Sequence, residues 1–357
     1  MSTPLPAHKT KHIHHLQYPF RNTSFHLAQL DNGLTNGTGL WLGGQCLSVY
    51  LAHIYGRKQH QHDQQTVSPH MQKNHRPRAI ELGSGIGLSA LALSSLGWDV
   101  LATDLPVVLT SVLSQNIARN IPILPPGSGH LQARVLDWTV PPEKWSWNSN
   151  AVIAQSPPPD FDTTSTSYSD SNKQEFPHAT IQHDHMTSLD SVTTTASRPQ
   201  LDADQVEFEY KSRDPATNNN TPPHLAPPFD LIISADTLYL SSLVDPFLRT
   251  LHALSVQSLQ VSSSHTNSTT STNPTSPSTS PPPIYLCIER RDPRLMDQTF
   301  LTAQEKYNFT VERIPHRKLS KIMGKGGLMW DKSEWEGVEV WKLVLRVSSS
   351  SSLSSSS

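Results

Sequence analysis

The stretch Arg78–Asp104, RAIELGSGIGLSALALSSLGWDVLATD, decides the fold. Ala79 to Leu82 is a short apolar run that reads as a buried strand and stops at Gly83-Ser84-Gly85-Ile86-Gly87. Glycines tolerate positive φ and let backbone approach a ligand closely, and a helix opens directly after them. Leu88, Leu91, Ala92 and Leu96 recur at helical spacing, and Gly97 ends that helix. Val100 to Ala102 is a second apolar strand, closed by Thr103-Asp104. Asp104 lies 21 residues after Gly83, about the separation at which a nucleotide fold sets a carboxylate on a ribose diol. The stretch predicts a βαβ unit carrying a nucleoside cofactor.

Two kinds of cofactor compete for such a unit. A dinucleotide fingerprint, G-x-G-x-x-G, needs a third glycine at position 88, where the chain has Leu88. The pattern is instead E-x-G-x-G-x-G, with Glu81 two residues before Gly83. A pyrophosphate is disfavoured beside an anion, whereas a carboxylate at a strand end suits a cofactor with a cationic amino-acid tail. On these residues the stretch resembles motif I of the class I S-adenosylmethionine-dependent methyltransferases, and Asp104 matches their ribose-binding acid. The resemblance implies S-adenosyl-L-methionine as cofactor, held by Glu81, Gly83, Gly85, Gly87 and Asp104.

Working outward, Pro106 suits the first turn of a helix whose face is Val108, Leu109, Val112, Leu113 and Ile117. Leu131 to Leu136 predicts a third strand, ending in Asp137-Trp138. From about 142 to 226 periodicity gives way to Pro, Ser, Thr, Asn, His and Asp, which cannot bury enough apolar surface to offset ordering entropy. That predicts a disordered insertion, with one short ordered piece near Val206–Tyr210. Phe229 to Asp236 is a buried strand, and Leu243, Phe247, Leu248, Leu251 and Leu254 mark the next helix. A second Ser/Thr/Pro insertion spans about 256–283. Ile284 to Ile288 is a strand, a helix follows near 295–306, and Asn308–Ile314 with Val338–Val347 forms a closing antiparallel pair. Residues 348–357 are a Ser-rich tail. Upstream, 57–77 reads as a polar loop, Leu40, Cys46, Leu47, Tyr50, Leu51 and Ile54 as a helix, and residues 1–35 as a disordered, His-containing tail. One α/β domain over 36–347 results, Rossmann-like with helices on both faces and seven strands. The methyltransferase resemblance adds the order 3-2-1-4-5-7-6, with the seventh strand antiparallel.

Composition narrows the class. Apolar residues make up 35% of 357, beside 29 prolines, so the foldable material amounts to one domain. A net charge of −2 gives no global pull toward nucleic acid or an anionic membrane. The chain holds two cysteines, Cys46 and Cys287, each in an apolar stretch, expected as buried thiols of a reducing compartment. His12, His14 and His15 lack partnered Cys or acidic residues, so no metal site is expected. Without an 18-residue apolar run or a signal core, the expectation is a cytoplasmic or nuclear monomer.

An open α/β sheet binds its ligand at the C-terminal ends of its strands. Besides the glycines and Asp104, that edge should hold Asp137 as acceptor for an adenine amine and Trp138 over a ring face. Trp41 either caps the cofactor pocket or packs its helix. Asp236-Thr237-Leu238-Tyr239 follows a buried strand, with Ala235 beside the cofactor. This D-x-x-Y looks like the motif of the family 16 seven-strand protein-lysine methyltransferases, as do Trp41 before motif I, Asp137-Trp138, and Glu289-Arg290-Arg291 after strand 5. The resemblance implies a lysine of a non-histone protein as acceptor, Asp236 orienting its amine and Tyr239 lining the channel. A lysine amine has pKa about 10.4, so freeing it at pH 7 costs about 4.6 kcal/mol in water. Desolvation beside a cationic sulfonium lowers that cost, and orientation supplies much of the rest. A helix cap for Asp236, a small-molecule N- or O-methyltransferase, and a non-catalytic cofactor-binding interaction protein are the alternatives.

Overall fold

A computed structural model describes residues 3–30, 36–56, 76–157, 224–264 and 280–347, with side chains of 260–264 excepted. They belong to one compact unit, Met1–Pro157 with Pro222–Ser357, while Pro158–Thr221 lies outside the described residues. The expected ordered piece at Val206–Tyr210, the Ser-rich tail and most of the 57–77 loop also fall outside.

Arg78–Leu82 (β3) and Asp99–Asp104 (β4) flank Leu88–Ser95 (α2), as the glycine stretch predicts. A helix over 106–120 (α3), with a π turn at Leu109–Leu113, leads to Leu131–Leu136 (β5). Leu231–Ala235 (β7) precedes Ser241–Ser264 (α4), then Ile284–Glu289 (β8), Pro293–Glu305 (α5) and Phe309–Arg313 (β9). His316–Lys325 (α6) and Val338–Leu345 (β10) complete the set, with Leu42–Tyr55 (α1) ahead of it all. The sheet order is β6-β5-β4-β3-β7-β8-β10-β9. Within it stands the expected order of seven, with β10 antiparallel to both neighbours. The eighth strand, Val152–Ala154 (β6), pairs parallel to β5 at the edge.

Alternation along β3 shows how the layers form. Ile80 and Leu82 pack into the cluster that includes Phe247, Leu251 and Phe300 of α4 and α5. Ala79 joins the opposite cluster, built from α1, α2, α3 and α6. Both faces of the parallel strands are therefore covered, which is why they read as continuous apolar runs.

Three expectations need correction. Residues 3–30 of the expected 1–35 tail are not a disordered tail: His15–Phe20 (β1) and Thr23–Ala28 (β2) pair as an antiparallel hairpin. Leu16, Tyr18 and Phe20 on one strand, and Phe25 and Leu27 on the other, are buried. Two asparagines one turn apart on α3 satisfy the edge of β2. Asn116 Oδ1 accepts from Ala28 N (2.7 Å), and Asn120 Oδ1 accepts from His26 N (2.8 Å). Asn116 Nδ2 also donates to Ile86 O (3.0 Å), tying the hairpin support to the glycine loop.

The first insertion starts later than 142, because residues up to Pro157 are ordered through β6. Val152–Ala154 pairs with β5, and Arg134, fully buried on β5, adds side-chain ties. Its guanidinium donates to Trp147 O (3.1 Å), Ser149 O (3.2 Å) and Leu225 O, so it holds both chain ends where the segment leaves and returns. The second insertion also starts later, since α4 runs to Ser264. Cys46 and Cys287 are buried free thiols. Among the described residues no helix is long and apolar enough to cross a membrane.

Candidate active site

The parallel strands β3, β4, β5, β7 and β8 end along one edge, and the candidate residues gather there. Gly83, Gly85 and Gly87 all adopt positive φ (67°, 54° and 87°). At Gly83 a Cβ would also stand 2.5 Å from Thr237 Cγ2 and 3.4 Å from the Trp138 ring. The loop is fixed to β4 by backbone and side chain together. Ser84 N donates to Thr103 O (2.9 Å), and Thr103 Oγ1 donates to Glu81 O (2.6 Å).

Asp104 closes the loop. Its Oδ2 accepts from Gly85 N (2.8 Å) and its Oδ1 from Leu105 N (2.8 Å). Burial raises its pKa to about 6, against the pull of these two N–H groups. Glu81 is 2% exposed, and burial raises its pKa to about 8, with Ser84, Ser89 and the Ala90 N–H opposing and Asp104 adding. Glu81 Oε2 is buried without a hydrogen-bond partner among the described residues. A buried, unpartnered carboxylate oxygen is costly unless a donor arrives. The donor set a cationic amino-acid tail brings is the one this atom lacks, so the residues fit the cofactor that the glycine pattern implies.

On the β5 side, Trp138 packs edge-on against Phe247 (5.0 Å between centroids), and its Nε1 is likewise buried without a partner. Asp137 has a different set of contacts from the expected one. Oδ1 accepts from Thr139 N (2.9 Å) and Thr139 Oγ1 (2.7 Å), and Oδ2 accepts from Ser156 Oγ (2.7 Å). Burial raises its pKa, but these bonds outweigh burial and hold it below the ordinary carboxylate value. The carboxylate staples the 137–139 turn to the chain after β6.

Asp236 ends β7 with φ 52°. Oδ2 accepts from Gly43 N (2.6 Å) and Oδ1 from Glu289 N (2.9 Å), while its own N–H donates to Cys287 O (2.9 Å). It therefore caps a helix, but the helix is α1, 193 residues away in sequence. Trp41, at the N-cap position of α1, makes no side-chain cap of its own, so Asp236 supplies what the helix start lacks. A Cβ on Gly43 would sit 2.5 Å from Asp236 Oδ2, which explains the glycine. Burial brings the Asp236 pKa up to about 6, opposed by the two N–H groups. Ala235 is half-buried beside it, and Ser234 Oγ is 2.8 Å from Thr237 Oγ1. Tyr239 is 51% exposed in the turn before α4, near enough to Asp104 for that charge to add to the upward push of burial on its hydroxyl.

Trp41 lies on the β8 side of the edge. Lys11 Nζ (3.9 Å) and the Arg291 guanidinium (4.9 Å) both lie over its ring, and Nε1 donates to Asn36 O (2.6 Å). The turn it ties down reaches the glycine loop: Gly37 O is 3.2 Å from where a Cβ on Gly85 would stand. Beyond Asp236 opens a cavity of about 300 Å³, lined in part by Leu42, Glu289, Arg291 and Glu334. Thr237, Gly43 and the 36–38 turn were not singled out from the sequence, because their partners are far along the chain. Only Gly43-Gly44 at a helix start hinted at a close approach.

Fold and edge together have the architecture of the class I methyltransferases. Residues 22–154 match the family described as lysine methyltransferase. Over 66 residues the chain is 36% identical to the protein-lysine N-methyltransferase rrg1 of Schizosaccharomyces pombe, covering 18% of this chain and 22% of that protein. Over 80 residues it is 31% identical to methyltransferase-like protein 22 of Homo sapiens, covering 21% and 20%. The matches thus span about a fifth of the length of each relative. Among solved structures, a glycopeptide N-methyltransferase MtfA complexed with sinefungin is similar over 85% of this chain and 87% of its own, at 10% identity and TM-score 0.35. The resemblance read from the glycine stretch, to class I methyltransferases and among them to the protein-lysine enzymes, is thus met by the family match.

Proposed function

We propose that the protein transfers a methyl group from S-adenosyl-L-methionine to a lysine side chain of a protein. The observation that carries the cofactor half is the unpartnered Glu81 Oε2, buried beneath three left-handed glycines and next to Asp104. Glu81 would take the ammonium of the amino-acid tail, Asp104 the ribose, and Trp138 a face of the base. When bound, the cofactor supplies an electrophilic methyl on a sulfonium, and the reaction needs no strong base. The lysine half is supported by the family match over 22–154 and by Asp236 and Tyr239 at the same edge. Asp236, held by Gly43 and Glu289, fixes the start of α1 against β8 and so shapes the side from which an amine would approach. Tyr239 stands exposed over the Asp104 side, where it would form one wall of the channel.

Labelled S-adenosylmethionine incubated with the protein and a cell extract, followed by mass spectrometry, tests the reading. Label on lysine of a protein is expected. Label confined to soluble metabolites would replace lysine transfer by small-molecule methylation, and no label with intact cofactor binding would favour a non-catalytic role.

A further inference from the structure

Away from the strand edge, α6 is a strongly basic helix. Leu319, Ile322 and Met323 bury one of its faces, while Arg317, Lys318, Lys321 and Lys325 are exposed. Lys318, Lys321 and Lys325 stand at i, i+3 and i+7, with Arg317 four before Lys321, so the four cations share one stripe. From Ile314 to Trp330 the sequence has no Asp or Glu. None of the four cations is in an ion pair among the described residues. Like charges at this spacing destabilise a helix, so folding does not ask for them.

The stripe runs into a cavity of about 450 Å³. Lys325 and Leu328 form one wall, Val49 and Ala52 of α1 another, and Phe20 and Arg21 of the hairpin turn a third. No carboxylate is among the lining residues. Gly56, at the opposite end of α1 from Gly43 and Asp236, also lines the cavity. Its lining sets apolar Val49, Ala52 and Leu328 beside cationic Arg21 and Lys325.

We propose that this surface docks an acidic protein segment, with carboxylates along the α6 stripe and one apolar side chain in the cavity. As the means of holding a protein acceptor it rests on the lysine-methyltransferase reading; as a peptide-binding surface it stands apart from it. Single-stranded nucleic acid fits less well, because base stacking needs free ring faces. The aromatic side chains of the cavity, Tyr18 and Phe20, are each only 4% exposed.

Fluorescence anisotropy on the full chain decides the matter. Its probes are a labelled glutamate decapeptide with one central leucine, the same peptide with serine there, and a ten-nucleotide single-stranded RNA. The leucine peptide should bind best and weaken with salt. Lys318→Glu/Lys321→Glu/Lys325→Glu should lose at least about tenfold in affinity, and the triple alanine variant, which keeps a good helix, an intermediate amount. Ala52→Met should erase the leucine advantage and leave the salt dependence. Melting temperature and S-adenosylhomocysteine affinity should hold in each variant. RNA binding tighter than the leucine peptide, or peptide affinity undiminished in the folded triple variants, would overturn the proposal. Failure of the unaltered protein to bind S-adenosylhomocysteine would instead sink the methyltransferase reading and leave the peptide result untouched.

Discussion

Asp104 and Asp236 stand at the ends of two parallel strands, β4 and β7, and burial brings both to a pKa of about 6. Each accepts two backbone N–H groups. The partners differ: Asp104 holds Gly85 and Leu105, 19 and 1 residues away, whereas Asp236 holds Gly43 and Glu289, 193 and 53 residues away. Asp104 closes a local loop that the βαβ unit would form anyway. Asp236 joins β7, β8 and the start of α1, elements the chain brings together only on folding. One half of the edge is thus a locally closed loop, the cofactor cradle we propose, and the other is assembled by a buried carboxylate that joins distant elements.

The largest effect should come from breaking the cradle itself. Gly83→Val puts a branched side chain at φ 67° and within 2.5 Å of Thr237. Strain of about 1–3 kcal/mol, with overpacking of similar size, is expected. S-adenosylhomocysteine affinity should fall at least about a hundredfold, equivalent to about 2.7 kcal/mol. Calorimetric affinity within a few-fold of the unaltered protein would mean the cofactor does not approach this glycine.

Next in size is Asp236→Ala, which leaves the Gly43 and Glu289 N–H groups without acceptors at a cost of about 1–3 kcal/mol each where buried. Most methyl transfer should disappear while cofactor affinity stays within a few-fold, because Asp104 and Glu81 are untouched. Asp236→Asn sharpens the comparison. Its amide can accept one N–H but points a donor at the other, so the melting temperature should fall by part of the alanine effect. Retained turnover in that variant would rule out a need for the charge, and full activity in Asp236→Ala would remove the residue from the mechanism altogether.

The same contrast between local and distant contacts explains what could be read from the sequence. The glycine stretch, Asp104, and the strand before Asp236 are local patterns, and the structure sets them along one edge in the expected strand order. The hairpin β1–β2 was legible in principle. Leu16, Tyr18 and Phe20 alternate at period two, but interleaved histidine and glutamine make the stretch look like a polar tail. The support it gains from Asn116 and Asn120 could not be foreseen, because two asparagines on a helix resemble ordinary polar surface. Arg134 is similar. A lone arginine within an apolar strand gives no sign that three carbonyls will converge on it. For Asp137, spacing located the residue correctly at the edge, but Thr139 and Ser156 occupy the carboxylate expected to face adenine.

A smaller effect tests whether Glu81 awaits a cation. With its pKa raised to about 8, Glu81 is mostly protonated at pH 7 in the folded protein. Its contribution to stability is then present below the unfolded value near 4.5 and fades as pH rises through about 8. Arrival of an ammonium would drive the proton off, so S-adenosylhomocysteine binding at pH 7 should release about one proton, read as a dependence of binding enthalpy on buffer ionisation. Glu81→Gln should bind about tenfold more weakly and release none. Equal enthalpies in phosphate and Tris for the unaltered protein would show that the tail charge goes elsewhere.

The smallest effect concerns Tyr239, the one proposed site residue that the fold leaves half exposed. Its hydroxyl makes no hydrogen bond among the described residues, so Tyr239→Phe removes nothing the folded protein uses, and stability should stay within about 0.5 kcal/mol. If the ring shapes the acceptor channel, Tyr239→Phe should keep turnover within about twofold. Tyr239→Ala should raise the KM for a protein acceptor more than it lowers kcat, since a channel wall that contributes equally in ground and transition states affects binding. A hydroxyl acting on the amine would reverse this, with both variants losing kcat alike. A steady-state comparison of the two variants therefore separates a wall from a reacting group, at a position whose side chain is half exposed.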